Sequence, residues 1–298
     1  MDAAALLARA AARLAAAGID SARLDAEVLL AHALAVGRTA LYARLRDPVP
    51  EAAAASFAAL LERRVRREPV AYLTGTREFW SLSFAVSPAV LIPRPETELL
   101  VELATRGARA PAAAAGAPPP GAPAPDTAGR AVGTILDLGT GSGCIAVAIA
   151  HELAHARVVA VESSADALEL ARRNAAAHGV AHRIAFRAGD LFAAVSPGEL
   201  FDCIVSNPPY LAPGDAASPE LAFEPRVALD GGADGLAVVR RIIAAAPQHL
   251  RAGGRLLIEL GAGQDAPARA LALAAGLRRA RVETDLAGIP RVLVAERG

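Results

Sequence analysis

The 298 residues carry equal numbers of acidic and basic side chains, 31 each, and every basic one is arginine because no lysine occurs. Zero net charge argues against a broad electrostatic grip on nucleic acid, though not against a local basic patch, while the length allows one large domain or two smaller ones with a real core. Two cysteines, Cys144 and Cys203, cannot form a disulfide framework, which points to a reducing compartment, and no run reaches the roughly 18–20 apolar residues of a membrane span.

Met1 to Ala17 is rich in alanine, leucine and arginine. Arg9 and Arg13 interrupt any signal-peptide core and Asp2 fits a transit peptide poorly, so an ordinary first helix is expected. Residues 1–74 read as several short helices forming a first domain. Ser21 is placed to cap one whose apolar face is Leu24, Ala26, Val28, Leu29 and Leu30. The run Arg63 to Arg67 is flanked by Glu62 and Glu68 and reads as a solvated helix face. The period then changes. Trp80, Leu82, Phe84 and Val86 alternate with smaller residues, Ser87-Pro88 reads as a turn, and Val90-Leu91-Ile92 as a second strand. A β-hairpin linker over 75–93 is therefore expected ahead of a second domain, 94–298. Within that domain, 107–130 is almost all alanine, glycine and proline. It cannot bury enough surface to offset its ordering entropy and is expected to be a flexible insertion.

From Ala131 onward strands and helices alternate. Strands are expected at 134–138, 157–161, 184–188, 202–206, 255–260, 281–284 and 291–295, with helices between the first five. Near-continuous apolar strands separated by helices imply an α/β fold whose parallel sheet is covered on both faces. The last two candidates flank Gly288 and Pro290 and suit a hairpin that puts one antiparallel strand in the sheet.

Three strand ends carry chemistry. After the first, Asp137-Leu138-Gly139-Thr140-Gly141-Ser142-Gly143 runs into a helix at Cys144, and its glycines let the backbone turn tightly against a ligand. Glu162 ends the second strand, where a carboxylate can accept both hydroxyls of a ribose. Gly189-Asp190-Leu191-Phe192 follows the third. Asp190 can accept from an adenine amino group with Leu191 against the ring, or simply cap a helix. After the fourth comes Asn207-Pro208-Pro209-Tyr210. The two prolines lack N–H groups and hold the chain extended. The oxygen of Asn207 and the carbonyl of Pro208 can then accept both hydrogens of one planar NH2 group, with Tyr210 against its flat face. A G-x-G-x-G loop, an acidic strand end and this tetrapeptide point to S-adenosylmethionine as cofactor, and away from a dinucleotide.

His151-Glu152-Leu153-Ala154-His155 matches a zinc pattern with both imidazoles on one helical face. At about 1.5 Å per residue, His155 would lie roughly 18 Å from Gly143, no third ligand is evident, and no metal is expected. His32, His178, His182 and His249 read as surface or satisfied core residues, and both cysteines as small apolar groups.

Glu68 to Gly75, Glu78-Phe79-Trp80, Leu91-Ile92-Pro93-Arg94-Pro95-Glu96-Thr97-Glu98, the glycine loop, Asn207 to Tyr210, and Phe223-Glu224-Pro225 through Asp230-Gly231-Gly232 together resemble the peptide chain release factor glutamine methyltransferases. The likeness covers nearly the whole chain outside the insertion. Its most specific part is the string from Leu91 to Glu98, because the tetrapeptide is shared with DNA adenine methyltransferases. The resemblance implies a Rossmann-like, seven-stranded class I methyltransferase sheet, a small N-terminal helical substrate-recognition domain and a hairpin linker. It further implies methylation of the side-chain amide of the glutamine in the Gly-Gly-Gln loop of class 1 release factors. Gly139, Thr140, Gly141, Ser142, Gly143, Glu162, Asp190, Leu191 and Asn207 would bind cofactor. Asn207, Pro208, Pro209 and Tyr210 would hold the glutamine, with Asn207, Pro208 and Tyr210 acting in catalysis. Glu162 stands where the family usually has aspartate, Leu191 at a frequently aromatic position and Ser81 where glycine is common. The loop between Tyr210 and Glu224 is a few residues short.

The amide nitrogen is a poor nucleophile, so catalysis is expected to be mainly positioning, with no general base needed before transfer. A cytoplasmic monomer acting on protein, without direct nucleic-acid or membrane contact, is expected. Two other readings stay open at this stage. One is methylation of an exocyclic amine of adenine or guanine in nucleic acid, which would need a cationic channel for a flipped base. The other is a non-catalytic module that sequesters the release-factor loop.

Overall fold

The computed structural model of the chain describes residues 1–109, 133–215 and 218–298, with the backbone alone at 107–109. The chain divides into two compact units. One comprises Met1–Thr76, Val86–Pro88 and Ala217–Phe223; the other Arg77–Ala85, Ala89–Ala216 and Glu224–Gly298.

The first unit is helical: α1 (Ala3–Ala16), α2 (Ala22–Ala33), α3 (Arg38–Ala43), α4 (Glu51–Val65) and α5 (Val70–Thr74). Asp2 starts α1, its carboxylate accepting from the Ala5 N–H at 2.8 Å. Ala3, Leu7, Ala10 and Leu14 then recur at helical spacing and are buried, packing with Leu29, Leu30, Leu41 and Phe57. Ser21 does sit at the start of α2, but its side chain makes no capping bond. Leu24 is exposed; the buried stripe is Ala26, Leu29 and Leu30. The arginine run is not a solvated face throughout. Arg64 is buried and donates to Asp25 at 2.7 Å and to Glu220 at 3.1 Å.

The hairpin differs in register from the expected one. Its strands are β1 (Thr76–Phe79) and β2 (Leu82–Ala85), and Trp80 and Ser81, at φ 53° and 57°, form the turn. Two consecutive left-handed residues match the right-handed twist of the flanking strands. A glycine would take the backbone of position 81 without the strain that Ser81 carries. Val90, Leu91 and Ile92 are apolar but not a strand; the Ile92 N–H is spent on the Glu224 carboxylate at 3.0 Å.

In the second unit, α6 (Glu98–Arg109) precedes β3 (Thr134–Leu138), α7 (Cys144–Glu152), β4 (Arg157–Glu162), α8 (Ala165–Ala177), β5 (Ile184–Ala188) and β6 (Phe201–Ser206). Then come α9 (Ala237–His249), β7 (Leu250–Glu259), α10 (Asp265–Ala274), β8 (Leu277–Thr284) and β9 (Pro290–Arg297). Residues 107–109, assigned to the insertion, continue α6; the remainder of that expected flexible segment lies outside the described residues.

The seven-stranded sheet has the order β5-β4-β3-β6-β7-β9-β8. Only β9 pairs antiparallel, with β7 on one side and β8 on the other. Alternate side chains feed two cores. Ile135, Cys203, Val205 and Leu257 face α6 and α7, whereas Leu136, Leu138, Ile204, Leu256 and Ile258 face α9 and α10. Burial on both faces is why these strands read as unbroken apolar runs.

The chain leaves β3 for β4 and β5 on one flank, then crosses to β6 on the other. A crevice opens beyond the carboxyl ends of β3 and β6, the topological switch point where open α/β sheets place ligands. Leu138 lies opposite Ser206 there, and the Ser206 hydroxyl donates to the Leu138 carbonyl at 2.7 Å.

Candidate active site

At that switch point lies a cleft of about 550 Å³. Gly139, Thr140, Gly141, Ser142, Glu162, Asp190, Leu191, Asn207, Pro208 and Pro209 all line it. Gly143 and Tyr210, also expected at the site, are not in its lining.

The glycine loop is folded by hydrogen bonds that its glycines permit. Gly139, Gly141 and Gly143 take φ of 72°, 55° and 81°. Gly139 and Thr140 both donate to the Val161 carbonyl, at 2.9 and 3.0 Å. Gly143 supports the loop from behind: a Cβ there would meet that of Ala171 at 3.0 Å. Beneath the loop, Asp137 is wholly buried and accepts from the Thr140 hydroxyl at 2.6 Å. Burial, with a smaller contribution from Glu162, pushes its carboxyl up to about 7.

Glu162 reaches across from β4. One carboxylate oxygen accepts from the Gly141 N–H at 2.9 Å, the other from the Ser163 and Ser164 N–H groups at 2.8 and 3.0 Å. The oxygen bound to Gly141 keeps a lone pair for a further donor, whereas the other, which the Ser163 hydroxyl also reaches at 3.2 Å, is filled. Asp190 does not cap with its side chain the short 3₁₀ turn Leu191–Ala194. Its carboxylate accepts from Arg241 at 2.5 Å, and both residues line the cleft. Leu191 takes φ 51°, rare for a large side chain.

At the tetrapeptide, the Asn207 amide donates from Nδ2 to the Thr97 hydroxyl at 3.1 Å. Its oxygen Oδ1 is buried and has no protein partner among the described residues. A buried acceptor left unmatched costs about 1–3 kcal/mol, so it marks a place where a donor belongs. The Tyr210 ring lies against Gly261, where a Cβ would come within 3.1 Å of it. The Tyr210 carbonyl accepts from Gln264 at 2.9 Å, and burial pushes its hydroxyl up to about 12. The Asp230-Gly231-Gly232 segment runs beside it: the Gly231 N–H donates to Leu211 O at 2.8 Å, and a Cβ at Gly231 would strike the Gly235 carbonyl at 2.6 Å.

The stretch from Leu91 to Thr97 also contributes to the lining and meets the tetrapeptide at Thr97. The buried Glu224 carboxylate fixes it, taking the Ile92 N–H and the Arg94 guanidinium, the latter at 2.6 Å. Residues with no role assigned from sequence are Thr97, Asn174, Arg241 and Glu259. Two left a trace. Asn174 is a polar residue on the apolar stripe Ala167, Leu168, Leu170, Ala171 and Ala175, and Glu259 ends the apolar run Leu256-Leu257-Ile258.

The zinc pattern fails on geometry. Helix α7 ends at Glu152, so His151 and His155 do not share a helical face, and the Glu152 carboxylate accepts from the Trp80 indole at 3.0 Å. Among the described residues no cluster could hold a metal ion, and no helix is long and apolar enough to cross a membrane. Cys144 and Cys203 are free and buried, and burial pushes their thiols up to about 12 and about 11.

A seven-stranded sheet of this order behind N-terminal helices defines an S-adenosylmethionine-dependent class I methyltransferase. The solved structures agree on the fold: a methyltransferase from Pyrococcus furiosus superposes with a TM-score of 0.52 at 16% identity, covering 80% of this chain and 98% of that one. A Thermus thermophilus 16S rRNA N2 methyltransferase (RsmC), in complex with AdoMet and guanosine, gives 0.50 at 20% identity over 75% of this chain and 50% of that one. The family described as PrmC N-terminal domain matches residues 5–75, and that described as Methyltransferase small domain matches 126–222. A release factor glutamine methyltransferase from Cereibacter sphaeroides is 46% identical over 99% of this chain and 98% of its own. One from Geobacter sulfurreducens is 46% identical over 83% and 80%. The chain belongs to the release factor glutamine methyltransferase family.

Proposed function

We propose that this enzyme methylates the side-chain amide nitrogen of the glutamine in the Gly-Gly-Gln motif of class 1 peptide chain release factors. The observation that carries the reading is the buried, unmatched Oδ1 of Asn207 in the cleft wall, an acceptor awaiting an N–H. The 46% identity to named relatives over the full chain supports the same substrate class; methylation of a base amine in nucleic acid has no such support.

The cleft suits the cofactor. Gly139 to Gly143 expose backbone along one side, with φ values that keep side chains out of the way. The Glu162 carboxylate is held facing the loop, and its Gly141-bound oxygen has a lone pair to spare for a ribose hydroxyl. Asp190, Leu191 and Asn207 complete the lining. When bound, S-adenosylmethionine supplies a methyl group on a positively charged sulfur, an electrophile that needs no further activation.

The chain's own residues supply orientation. Asn207 Oδ1 and the Pro208 carbonyl accept the two hydrogens of the substrate amide, and Pro208 and Pro209 keep that corner stiff. Tyr210 holds the corner in place through its packing on Gly261 and its bond from Gln264. As positive charge grows on the nitrogen, both acceptors bind it more strongly than in the ground state, which is differential stabilisation of the transition state. No base is needed beforehand; the surplus proton leaves to solvent afterwards.

The helical N-terminal unit is read as the substrate-recognition domain and the β1–β2 hairpin as its linker. We read the enzyme as a cytoplasmic monomer that makes no direct nucleic-acid contact, in keeping with its zero net charge and unpaired cysteines.

The test is to incubate the enzyme with labelled cofactor and intact release factor and to locate the label by mass spectrometry. Label on the Gly-Gly-Gln glutamine is expected. Label on nucleic acid and none on the release factor would overturn the reading. Asn207→Ala should cut turnover by about 10²–10³-fold; turnover within threefold of wild type would remove Asn207 from its assigned role.

A further inference from the structure

The ion pair of Asp190 and Arg241 stands in the cleft wall, and the scheme above gives Arg241 no part. Arg241 lies on α9, where it and Val238, three residues earlier, both line the cleft. Val239, Ile242 and Ile243 of the same helix are buried in the core. Helix α9 therefore turns a separate face toward the cleft, carrying one apolar group and one cation. The Arg241 and Asp190 side chains are 55% and 61% exposed. An exposed pair of this kind adds little to folding, so stability does not account for its place.

The backbone beside the pair is tight. Leu191 takes φ 51°, and a Cβ at Gly189 would meet that of Ala194 at 2.8 Å. Strain of this sort concentrates at ligand sites, and here it holds Asp190 and Leu191 together in the cleft lining.

The contact also decides which polar atoms are left over. Arg241 Nη2 donates to Asp190 Oδ2 at 2.5 Å. The carboxylate's Oδ1 and the other guanidinium N–H groups take no part in that bond. The pair thus sets an acceptor beside a donor. Adenine has the complementary edge: its amino group donates, and the ring nitrogens on either side of it, N1 and N7, accept. A purine with an oxo group in place of the amine would turn a carbonyl oxygen toward the carboxylate.

We propose that Arg241 donates to a ring nitrogen of the cofactor's adenine while Asp190 takes the amino group, so that the ion pair reads the base as a unit. Leu191 and Val238 supply apolar surface beside the ring. Arg241 is a specificity-determining residue for the cofactor and has no role in methyl transfer. The inference rests on the reading that Asp190 and Leu191 take the adenine end of S-adenosylmethionine.

The test is calorimetry on the full-length enzyme, with no turnover needed. The probes are S-adenosylhomocysteine, its 1-deaza and 7-deaza forms, and S-inosylhomocysteine, whose base carries a carbonyl in place of the amine. Arg241→Met keeps the length of the side chain and removes every donor. It should unfold at the wild-type temperature, because the pair is exposed, and bind S-adenosylhomocysteine about tenfold more weakly, the loss of one hydrogen bond to a charged group. One of the two deaza forms should cost wild type a similar factor and cost Arg241→Met nothing further, since the donor it fails to meet is already gone. S-inosylhomocysteine should bind wild type at least about tenfold more weakly than S-adenosylhomocysteine. Equal affinity of wild type and Arg241→Met for S-adenosylhomocysteine overturns the proposal and leaves Asp190 in its role. So do deaza losses that are the same in both chains, or wild type that binds both deaza forms at full strength. Wild type that does not discriminate against S-inosylhomocysteine overturns the reading of Asp190 itself, and the proposal with it.

Discussion

The side-chain amide of Asn174 donates to the backbone carbonyl of Ser142 at 2.8 Å, tying the last turn of α8 to the glycine loop. The same amide donates to Ala85 O at 3.0 Å, and its oxygen accepts from Ala85 N at 2.9 Å. One buried side chain thus clamps the glycine loop to the end of β2.

Asn174→Ala leaves three backbone groups without this partner, one buried at Ser142 and two half-buried at Ala85. Each unsatisfied group costs about 1–3 kcal/mol, so a stability loss of at least that size should appear in chemical denaturation. Because one freed group is in the loop, calorimetry should show weakened S-adenosylmethionine binding. Asn174→Asp should not rescue it, since an acceptor would then face two carbonyls. Unchanged cofactor affinity in Asn174→Ala would show that the loop holds its shape without the clamp.

Gly143 offers a matched comparison. Alanine there would need φ 81° and would place a Cβ 3.0 Å from that of Ala171, whereas at Gly179, with φ 69°, the space is open. Both substitutions carry the left-handed strain of about 1–2 kcal/mol. Only Gly143→Ala adds a clash that pushes α8 from the loop. Gly143→Ala should therefore lose markedly more stability and cofactor affinity than Gly179→Ala. Equal losses would mean that the contact with Ala171 relaxes at no cost.

How far the sequence disclosed this site depends on range. Most of the residues that line the cleft, Gly139 to Ser142, Glu162 and Asn207 to Pro209, were readable because each belongs to a short segment at a strand end, and the strand ends follow from apolar runs such as 134–138. The links between them were not. Asn207 and Thr97 are 110 residues apart, and Asn174 and Ser142 are 32 apart. No periodicity encodes those distances. The hairpin was misplaced because its turn is Trp80-Ser81, without the Asn or Gly that normally marks two left-handed residues, so the alternation seemed to run through it. The zinc pattern was set aside from sequence, but its two imidazoles were expected on one helical face, and the helix stops at Glu152 before His155.

In the helical unit, Arg64 is costly to lose. Its guanidinium is buried between Asp25 and Glu220, and it also donates to the Glu68 carbonyl at 3.2 Å. Removing one partner of a buried ion pair strands the other charge, a cost of about 3–5 kcal/mol. Arg64→Ala should lose that much in urea unfolding, while Arg13→Ala, at an exposed pair with Glu62, should be close to neutral. A small effect of Arg64→Ala would mean that water reaches Asp25 once the arginine is gone.

Asp137 should make stability depend on pH in a direction opposite to a salt-bridged carboxylate. Burial first, and Glu162 second, raise its carboxyl from 3.8 to about 7, against the pull of the Thr140 hydroxyl. Between about pH 4 and 7 the folded chain therefore keeps a proton that the unfolded chain has released, so this group's contribution to stability falls as pH rises through that window and levels off above it. Asp137→Asn keeps the shape and an acceptor for Thr140 but cannot ionise. The variant's unfolding temperature, measured against wild type, should shift in the variant's favour from pH 5 to pH 7.5 and change little beyond. Comparing the two chains at each pH cancels the similar contribution of Glu259, whose carboxyl burial also pushes up to about 7. A difference that stays constant across the range would mean that Asp137 ionises as readily in the fold as in water, and that the space beneath the glycine loop is wet.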